Sequence, residues 1–280
     1  MSELFACING DLLREDAARV AIGDLAVQRG YGVFDFFKTI NGRPIFLDDH
    51  LDRFERSASL MRLPIGMSRD ELKSLLAALM EKNKVADSGI RITLTGGNSI
   101  DGYSLAAPNL IITQKPIKLA RGASSASVRL MTYPHRRQLP QVKTIDYLMA
   151  IWLKPMIEAH GADEVLYAQD GIISECPRCN FFMVLAGRKL VTPADGVLHG
   201  ITRKHVLELA AKQFDAEARE ISLVDTHAAV EAFITSTTRG VLPVSHINGR
   251  VIGDGAPGEV TRQLSEAIQR RIADAASILS

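Results

Sequence analysis

The chain has 280 residues, 46% of them hydrophobic and 23% charged, which is ordinary for a soluble globular protein and suggests about two domains. Its 33 basic and 32 acidic residues leave a formal net charge of +1, so neither nucleic acid nor an anionic membrane is expected as a partner. The opening MSELFACINGDLLRED has acidic residues and no long apolar core, which argues against a signal peptide; no apolar run reaches the ~18 residues that span a bilayer.

In chain order, FACINGDLL reads as a hairpin with Asn9-Gly10 as a primed turn, and VFDFFKTINGRPIF repeats the device at Asn41-Gly42. LDDHLDRFERSASLM places Leu51, Phe54, Ala58 and Met61 on one helical face. SRDELKSLLAALMEKN opens with Ser68 and Glu71 at capping-box spacing. GIRITLTGG and NLIITQ are β-rich. The stretch 115–127 then loses large apolar residues, and the domain boundary is placed there, giving a smaller domain over 1–120 and a larger one over 121–280.

Beyond that boundary SVRLMTY reads as a strand, and TIDYLMAIWLKPMIEAH as a helix that Pro155 should bend. EVLYAQDGIISE and FFMVLAGRKLVTP read as hairpins turning at Asp170-Gly171 and Gly187. GITRKHVLELAAKQF is a helix and AEAREISL a strand. AFITSTTRGVLPV is a strand broken by a hydroxyl-rich turn, and the tail after Pro257 is a helix.

Three cysteines, an odd number, fit a reducing cytoplasm better than a disulfide framework. Cys176-Pro177-Arg178-Cys179 is a C-x-x-C, but there is no second such pair and no H-x₃₋₅-H to complete a four-ligand zinc site. A redox pair needs its first cysteine at a helix start, whereas FFMVL after the motif reads as a strand. No metal is expected.

Several residues have both a chemical and a plain reading. Lys143, at a strand-to-helix junction before an apolar stretch, has the surroundings of a nucleophilic or Schiff-base lysine; most lysines at helix starts are simply solvated. Gly200-Ile201-Thr202 opens a helix, which makes either an anion cradle or an ordinary cap. Thr235 to Thr238, TSTT, supplies hydroxyls for a phosphate or for a solvated turn. Arg53 is a phosphate-binding arginine or the partner of Asp49 four residues earlier. Glu175 is a surface carboxylate or the partner of a protonated ring nitrogen.

Together, a Schiff-base lysine, a phosphate cradle and a carboxylate are what pyridoxal 5'-phosphate requires. The blocks RGYGVFDFFKT, HLDRF, VKTIDYL, ISECPRCNFF, GITR and TSTTRGVLPV, spanning Arg29 to Val244, resemble the fold-type IV enzymes that use this cofactor. That family includes D-amino-acid transaminases, branched-chain transaminases and aminodeoxychorismate lyases. The resemblance implies an α+β fold of two domains, a smaller N-terminal α/β domain and a larger C-terminal β-barrel-like domain with flanking helices. It also implies a cytoplasmic homodimer whose pockets are shared across the interface.

By the same resemblance Lys143 is the lysine that carries the cofactor, and Glu175 faces the pyridine nitrogen. Arg53, Ile201, Thr202, Thr237 and Ser236 bind the phosphate. Tyr147 bonds the phenolic oxygen, and Asn180 braces the cofactor loop. The chain departs from the family at Asp146, usually Asn, and at Cys176, Pro177 and Arg178, usually small residues; these changes bear on loop shape and substrate contacts. The implied reaction is ping-pong transamination, in which the freed Lys143 amine moves the proton from Cα to C4'.

The R-x-H pair usual in D-amino-acid transaminases is absent from RITLTGGNS and IDGYSL. Arg91 and Arg29 are placed to grip the substrate carboxylate instead, or to serve as structural salt-bridge partners. Phe34, Arg178 and Thr238 complete the expected substrate contacts. A D-amino acid with a 2-oxo acid such as 2-oxoglutarate is the expected substrate pair. A branched-chain L-amino-acid transaminase and an aminodeoxychorismate lyase are the alternatives, and a binding protein without cofactor is disfavoured by the presence of both Lys143 and Glu175.

Overall fold

The computed structural model describes residues 3–119 and 126–277. The chain divides into two compact units: residues 1–119 with 142–146 and 275–280, and residues 120–141 with 147–274. The boundary expected between 120 and 121 lies outside the described residues. The short strip 142–146, which carries Lys143, belongs to the first unit although it comes after that boundary.

The first unit is built on β1 (Phe5–Ile8), β2 (Asp11–Arg14), α1 (Leu25–Arg29), β3 (Gly32–Ile40), β4 (Arg43–Pro44), α2 (Leu47–Leu60), α3 (Arg69–Asn83), β5 (Ser88–Thr95) and β6 (Leu110–Pro116). Its six strands form one antiparallel sheet in the order β2-β1-β6-β5-β3-β4. The two N-G turns close the expected hairpins, with Asn9, Gly10, Asn41 and Gly42 all at positive φ, as primed turns require. Strand alternation sends Val33, Phe37, Ile90, Ile92 and Leu94 to one face, where Leu51, Phe54 and Ala58 of α2 and Leu72, Leu76 and Leu79 of α3 cover them. Burying each large side chain there contributes about 1.5–3 kcal/mol. The capping box forms as spaced: Glu71 N donates to Ser68 Oγ, and Ser68 N donates to Glu71 Oε2.

The strip 142–146 pairs with the start of β3. Phe34 N donates to Lys143 O at 2.9 Å, and Ile145 N donates to Gly32 O at 3.1 Å. Gly32 is what allows this approach. A Cβ there would stand 2.8 Å from Leu94 O and 3.1 Å from Ile145 Cδ1. Lys143 N also donates to Ser57 Oγ on α2 at 3.2 Å.

The second unit holds β7 (Val128–Tyr133), α4 (Leu148–Trp152), α5 (Lys154–Ala159), β8 (Glu164–Gln169), β9 (Ile172–Ile173), β10 (Glu175–Cys176), β11 (Cys179–Leu185), β12 (Lys189–Pro193), α6 (Ile201–Ala210), β13 (Ala216–Arg219), β14 (Glu231–Ser236), β15 (Gly240–Ile247), β16 (Arg250–Val251) and α7 (Glu259–Ser277). The helix expected over 144–160 is two short ones meeting at Leu153, with Pro155 in the first turn of the second, where a missing N–H is harmless. The ten strands make a mixed, curled half-barrel sheet in the order β13-β12-β11-β14-β15-β7-β8-β9, with β10 on β11 and β16 on β15. One apolar cluster, with Leu130, Leu166, Phe181, Ile234 and Val244, fills its inner side. The other side of β11 and β14 packs Phe182 and Phe233, rings stacked at 4.8 Å, against Val206 of α6 and Leu264 of α7. Two hairpins were not expected from the sequence: β15–β16, turning at Asn248-Gly249, and β10–β11, whose two-residue turn is Pro177-Arg178.

Candidate active site

In the first unit the charged residues gather around two centres. Asp35 sits in mid-strand among aromatics, and the alternation of β3 turns it toward α2, where it is fully buried. Arg53 grips it with Nε–Oδ2 2.8 Å and Nη2–Oδ1 2.9 Å, and His50 Nδ1 lies 2.7 Å from Oδ1. The fork of Arg53 is thus set by a carboxylate on the neighbouring strand, a partner that the helical spacing to Asp49 does not reveal. Burial alone would raise the Asp35 carboxyl, but the charge of Arg53 and the hydrogen bonds from His50 and Arg53 overturn that and hold it well below the usual carboxylate range. Burial pushes the His50 imidazole down, with Arg53 and Lys143 adding to the effect against Asp35. His50 is therefore a neutral donor through Nδ1.

The second centre is the ring of Phe34, on the opposite face of β3. Arg91 Cζ stands 3.7 Å and Lys143 Nζ 4.4 Å from the ring centroid. Arg91 Nε also donates to Thr93 Oγ1 at 3.2 Å. Three residues singled out in the sequence, Phe34, Arg91 and Lys143, are thus together. Arg29 is not with them: it ends α1, is exposed, and donates to Gln28 O.

In the second unit Glu175 is 4% exposed. Its Oε1 accepts from Arg137 Nε and Nη2, both at 2.8 Å; its Oε2 accepts from Leu198 N at 3.0 Å and Asn180 Nδ2 at 3.3 Å. Asn180 Nδ2 also donates to Leu198 O at 2.8 Å, tying β11 to the segment before α6. Gly200 fits this arrangement closely, since a Cβ there would fall 2.1 Å from Asn180 Oδ1. Gly200 is the N-cap of α6 and offers no side-chain cap, so the first-turn N–H groups, those of Ile201 and Thr202 included, have no intrahelical partner.

The strand register sets Glu175, Asn180 and Thr235 in one row across β10, β11 and β14. Thr235 Oγ1 is buried with no hydrogen-bond partner. Ser236, Thr237 and Thr238 follow on the turn, with increasing exposure toward Thr238. Tyr147 is half-buried at the N-cap of α4. Arg178, at the tip of the β10–β11 turn, is 64% exposed, and its Nη2 lies 3.6 Å from Glu164 Oε2. Cys176 and Cys179 face each other across that hairpin, both buried and free. The hydrogen bond with Cys179 and burial raise the Cys176 thiol, so it is not a thiolate. Among the described residues no cluster of three or more His, Cys, Asp or Glu is arranged to hold a metal.

Three residues were missed in the sequence: Asp35, His50 and Arg137. Asp35 left a signal, an acid alone inside an apolar strand. Arg137, within PHRRQLP, left none that separates it from Arg136.

The Amino-transferase class IV family model matches residues 32–247. A D-alanine aminotransferase of Bacillus licheniformis is 30% identical over 270 residues, covering 94% of this chain and 95% of that one. A putative branched-chain-amino-acid aminotransferase of Methanocaldococcus jannaschii is 29% identical over 268 residues, covering 92% and 93%. In fold, the chain is similar to a branched-chain aminotransferase of the thermophilic archaeon Thermoproteus uzoniensis solved with norvaline, with a TM-score of 0.87 at 26% identity over 99% and 97% of the two chains.

Proposed function

The chain belongs to the class IV aminotransferases, enzymes that depend on pyridoxal 5'-phosphate, and on that premise we propose that this member moves the amino group of a D-amino acid to a 2-oxo acid such as 2-oxoglutarate. The observation that carries the reading is Arg91 on the ring that also carries Lys143. A guanidinium there gives a substrate carboxylate a two-point grip beside the reacting lysine. The similarity to the D-alanine enzyme over nearly the whole of both chains supports the same choice.

The residues fit the cofactor. The uncapped start of α6 with Ile201 and Thr202, the orphaned Thr235 hydroxyl and the Ser236–Thr237 turn supply donors suited to a phosphate. Glu175, which accepts from N–H donors on both oxygens, supplies a fixed negative charge suited to a protonated ring nitrogen. When bound, the cofactor supplies a carbonyl that takes the amino group and a cationic ring that stabilises negative charge at the substrate carbon.

Lys143 would hold the cofactor, and its Nζ is the base that would take the proton from the substrate Cα. Arg53 binds the phosphate with its fork preset by Asp35, which fixes where the ring lies. Glu175 keeps a proton on the ring nitrogen, Asn180 holds Glu175 in place, and Tyr147 donates to the phenolic oxygen. Arg29, Phe34, Arg178 and Thr238 line the substrate end. The protein works as a cytoplasmic homodimer whose pockets take residues from both protomers.

A branched-chain L-amino-acid transaminase is the second reading, favoured by the Methanocaldococcus jannaschii relative and by Tyr147. The two separate in a panel of D- and L-amino acids, each half-reaction followed by the visible cofactor band. D-Alanine and D-glutamate are expected to bleach the band, and L-leucine to leave it. Bleaching by L-leucine alone reverses the assignment. Lys143→Ala is expected to abolish the band; its persistence removes Lys143 from the cofactor.

A further inference from the structure

The sheet of the first unit buries a cation that the proposed reaction leaves idle. Lys38 lies on the same face of β3 as Phe34 and Phe36, the face on which Arg91 and Lys143 meet the Phe34 ring. It is only 7% exposed. Lysines are almost never fully buried unless paired. Among the described residues no hydrogen bond or ion pair holds this amine, and burial pushes its pKa down.

The strand register explains the missing partner. Directly opposite Lys38 on β5 is Gly89, which has no side chain to offer. The Phe36 ring takes that place: a Cβ on Gly89 would collide with Phe36 Cζ. The diagonal neighbour on β5 is Arg91, another cation, and the carboxylate two residues before Gly89, Asp87, accepts from Asn41 N at 3.0 Å. A buried amine in that row is costly by itself and becomes favourable when an anion is brought to it.

We propose that Lys38 binds the distal carboxylate of a dicarboxylic substrate, so that the 2-oxo acid this enzyme prefers is a five-carbon diacid such as 2-oxoglutarate. Diagonal neighbours such as Lys38 and Arg91 have Cβ atoms about 7–8 Å apart. Four C–C bonds of about 1.5 Å each join the end carbons of a five-carbon diacid, enough to bridge that gap once both side chains reach toward it. One carboxylate goes to Arg91 and the other to Lys38, and the apolar carbons between them lie against Phe36. A carboxylate at Lys38 favours the charged amine that burial disfavours. A monocarboxylic 2-oxo acid leaves the amine unpaired. The inference rests on the reading of Arg91 as the grip for a substrate carboxylate.

The test compares 2-oxoglutarate with pyruvate. Holoenzyme loaded with pyridoxamine 5'-phosphate is mixed with either acid, and the return of the visible band is followed. Lys38→Met keeps the stem and drops the charge. In that variant the kcat/KM ratio of 2-oxoglutarate over pyruvate is expected to fall about ten- to hundredfold, through KM for 2-oxoglutarate, and to fall less in Lys38→Arg. An equal ratio in wild type and Lys38→Met overturns the proposal. Binding gives a second readout that needs no reaction. By titration calorimetry on the holoenzyme, glutarate is expected to bind wild type about tenfold or more tightly than butyrate, and Lys38→Met to lose that preference. A preference absent from wild type, or kept in Lys38→Met, also overturns the proposal. An Arg91→Gln variant that binds glutarate and butyrate as wild type does removes Arg91 from the substrate site, a different failure from an unmoved ratio in Lys38→Met.

Discussion

Asp35 in the first unit and Glu175 in the second are both buried against an arginine, and the two are used differently. Asp35 is closed: Arg53 and His50 occupy both oxygens, and the carboxylate is fully buried. Glu175 has one oxygen on Arg137 and gives the other to neutral N–H donors, those of Asn180 and Leu198. A carboxylate closed on both oxygens by an arginine and a histidine serves to position them. One held partly by neutral donors keeps an outward negative potential for a ligand. The contrast predicts that Glu175 governs chemistry and Asp35 governs the standing of Arg53.

The largest effect to break that contrast is on rate. Glu175→Gln keeps the shape and removes the charge, and kcat is expected to fall by about 10³-fold, roughly 4 kcal/mol of barrier. The melting temperature should change little. A kcat within a few fold of wild type, measured on fully loaded enzyme, would place the ring-nitrogen partner elsewhere.

Asp35→Asn is expected to do the reverse. It strands a buried guanidinium, which destabilises the fold by about 3 kcal/mol or more. Urea denaturation should show the loss, and an unchanged midpoint would mean that Arg53 finds another partner. Acid dependence follows from the same groups. The folded pKa of Asp35 is depressed, so its stabilisation is full above its ordinary 3.8 and is lost as pH falls through the folded value. The folded pKa of His50 is also depressed, so below its ordinary 6.5 the unfolded chain takes up the proton first, and stability begins to drop there. Wild type should therefore weaken from about pH 6.5 downward and more steeply below about 4. Asp35→Asn should lose the steeper part.

Much of this was legible in the sequence because the signals are local. The N-G turns, the capping box at Ser68 and Glu71, and the apolar face of α2 are each decided within a few residues, and all formed as read. The Asn248-Gly249 turn carried the same signal. Lys143 and Glu175 were given their roles by the resemblance of the blocks around them to the fold-type IV enzymes. What escaped depends on contacts distant in sequence. That 142–146 joins the first unit follows from pairing with Gly32 and Phe34, more than a hundred residues earlier. That Arg53 answers to Asp35 follows from which face of β3 the aspartate takes. Nothing local separates Arg137 from its neighbour Arg136; only the fold brings it to Glu175.

Arg137 therefore sharpens the comparison at a smaller scale. Arg137→Ala removes one anchor and leaves Asn180 and Leu198 N, so the carboxylate stays but is held less firmly. Cofactor affinity is expected to fall about tenfold, or roughly 1.4 kcal/mol, with a smaller loss for Arg137→Lys. Equilibrium dialysis against pyridoxal 5'-phosphate measures it, and equal affinities for wild type and Arg137→Ala would show that the neutral donors suffice.

The smallest effect concerns the end of the same row. Glu175 and Asn180 satisfy each other, whereas Thr235, next across the sheet, buries a hydroxyl with no partner. An unpaired buried hydroxyl is unfavourable, and a methyl of the same shape is not. Thr235→Val is thus expected to stabilise the cofactor-free protein by up to about 1 kcal/mol, a rise of about 2 °C in Tm for a chain of this size. The gain should shrink when cofactor is added, because a hydroxyl set beside a phosphate cradle is unpaired only while the cradle is empty. A Tm that falls in the cofactor-free variant means that the hydroxyl is already satisfied. The polar row would then end at Asn180, which with Leu198 N and Arg137 helps to fix Glu175.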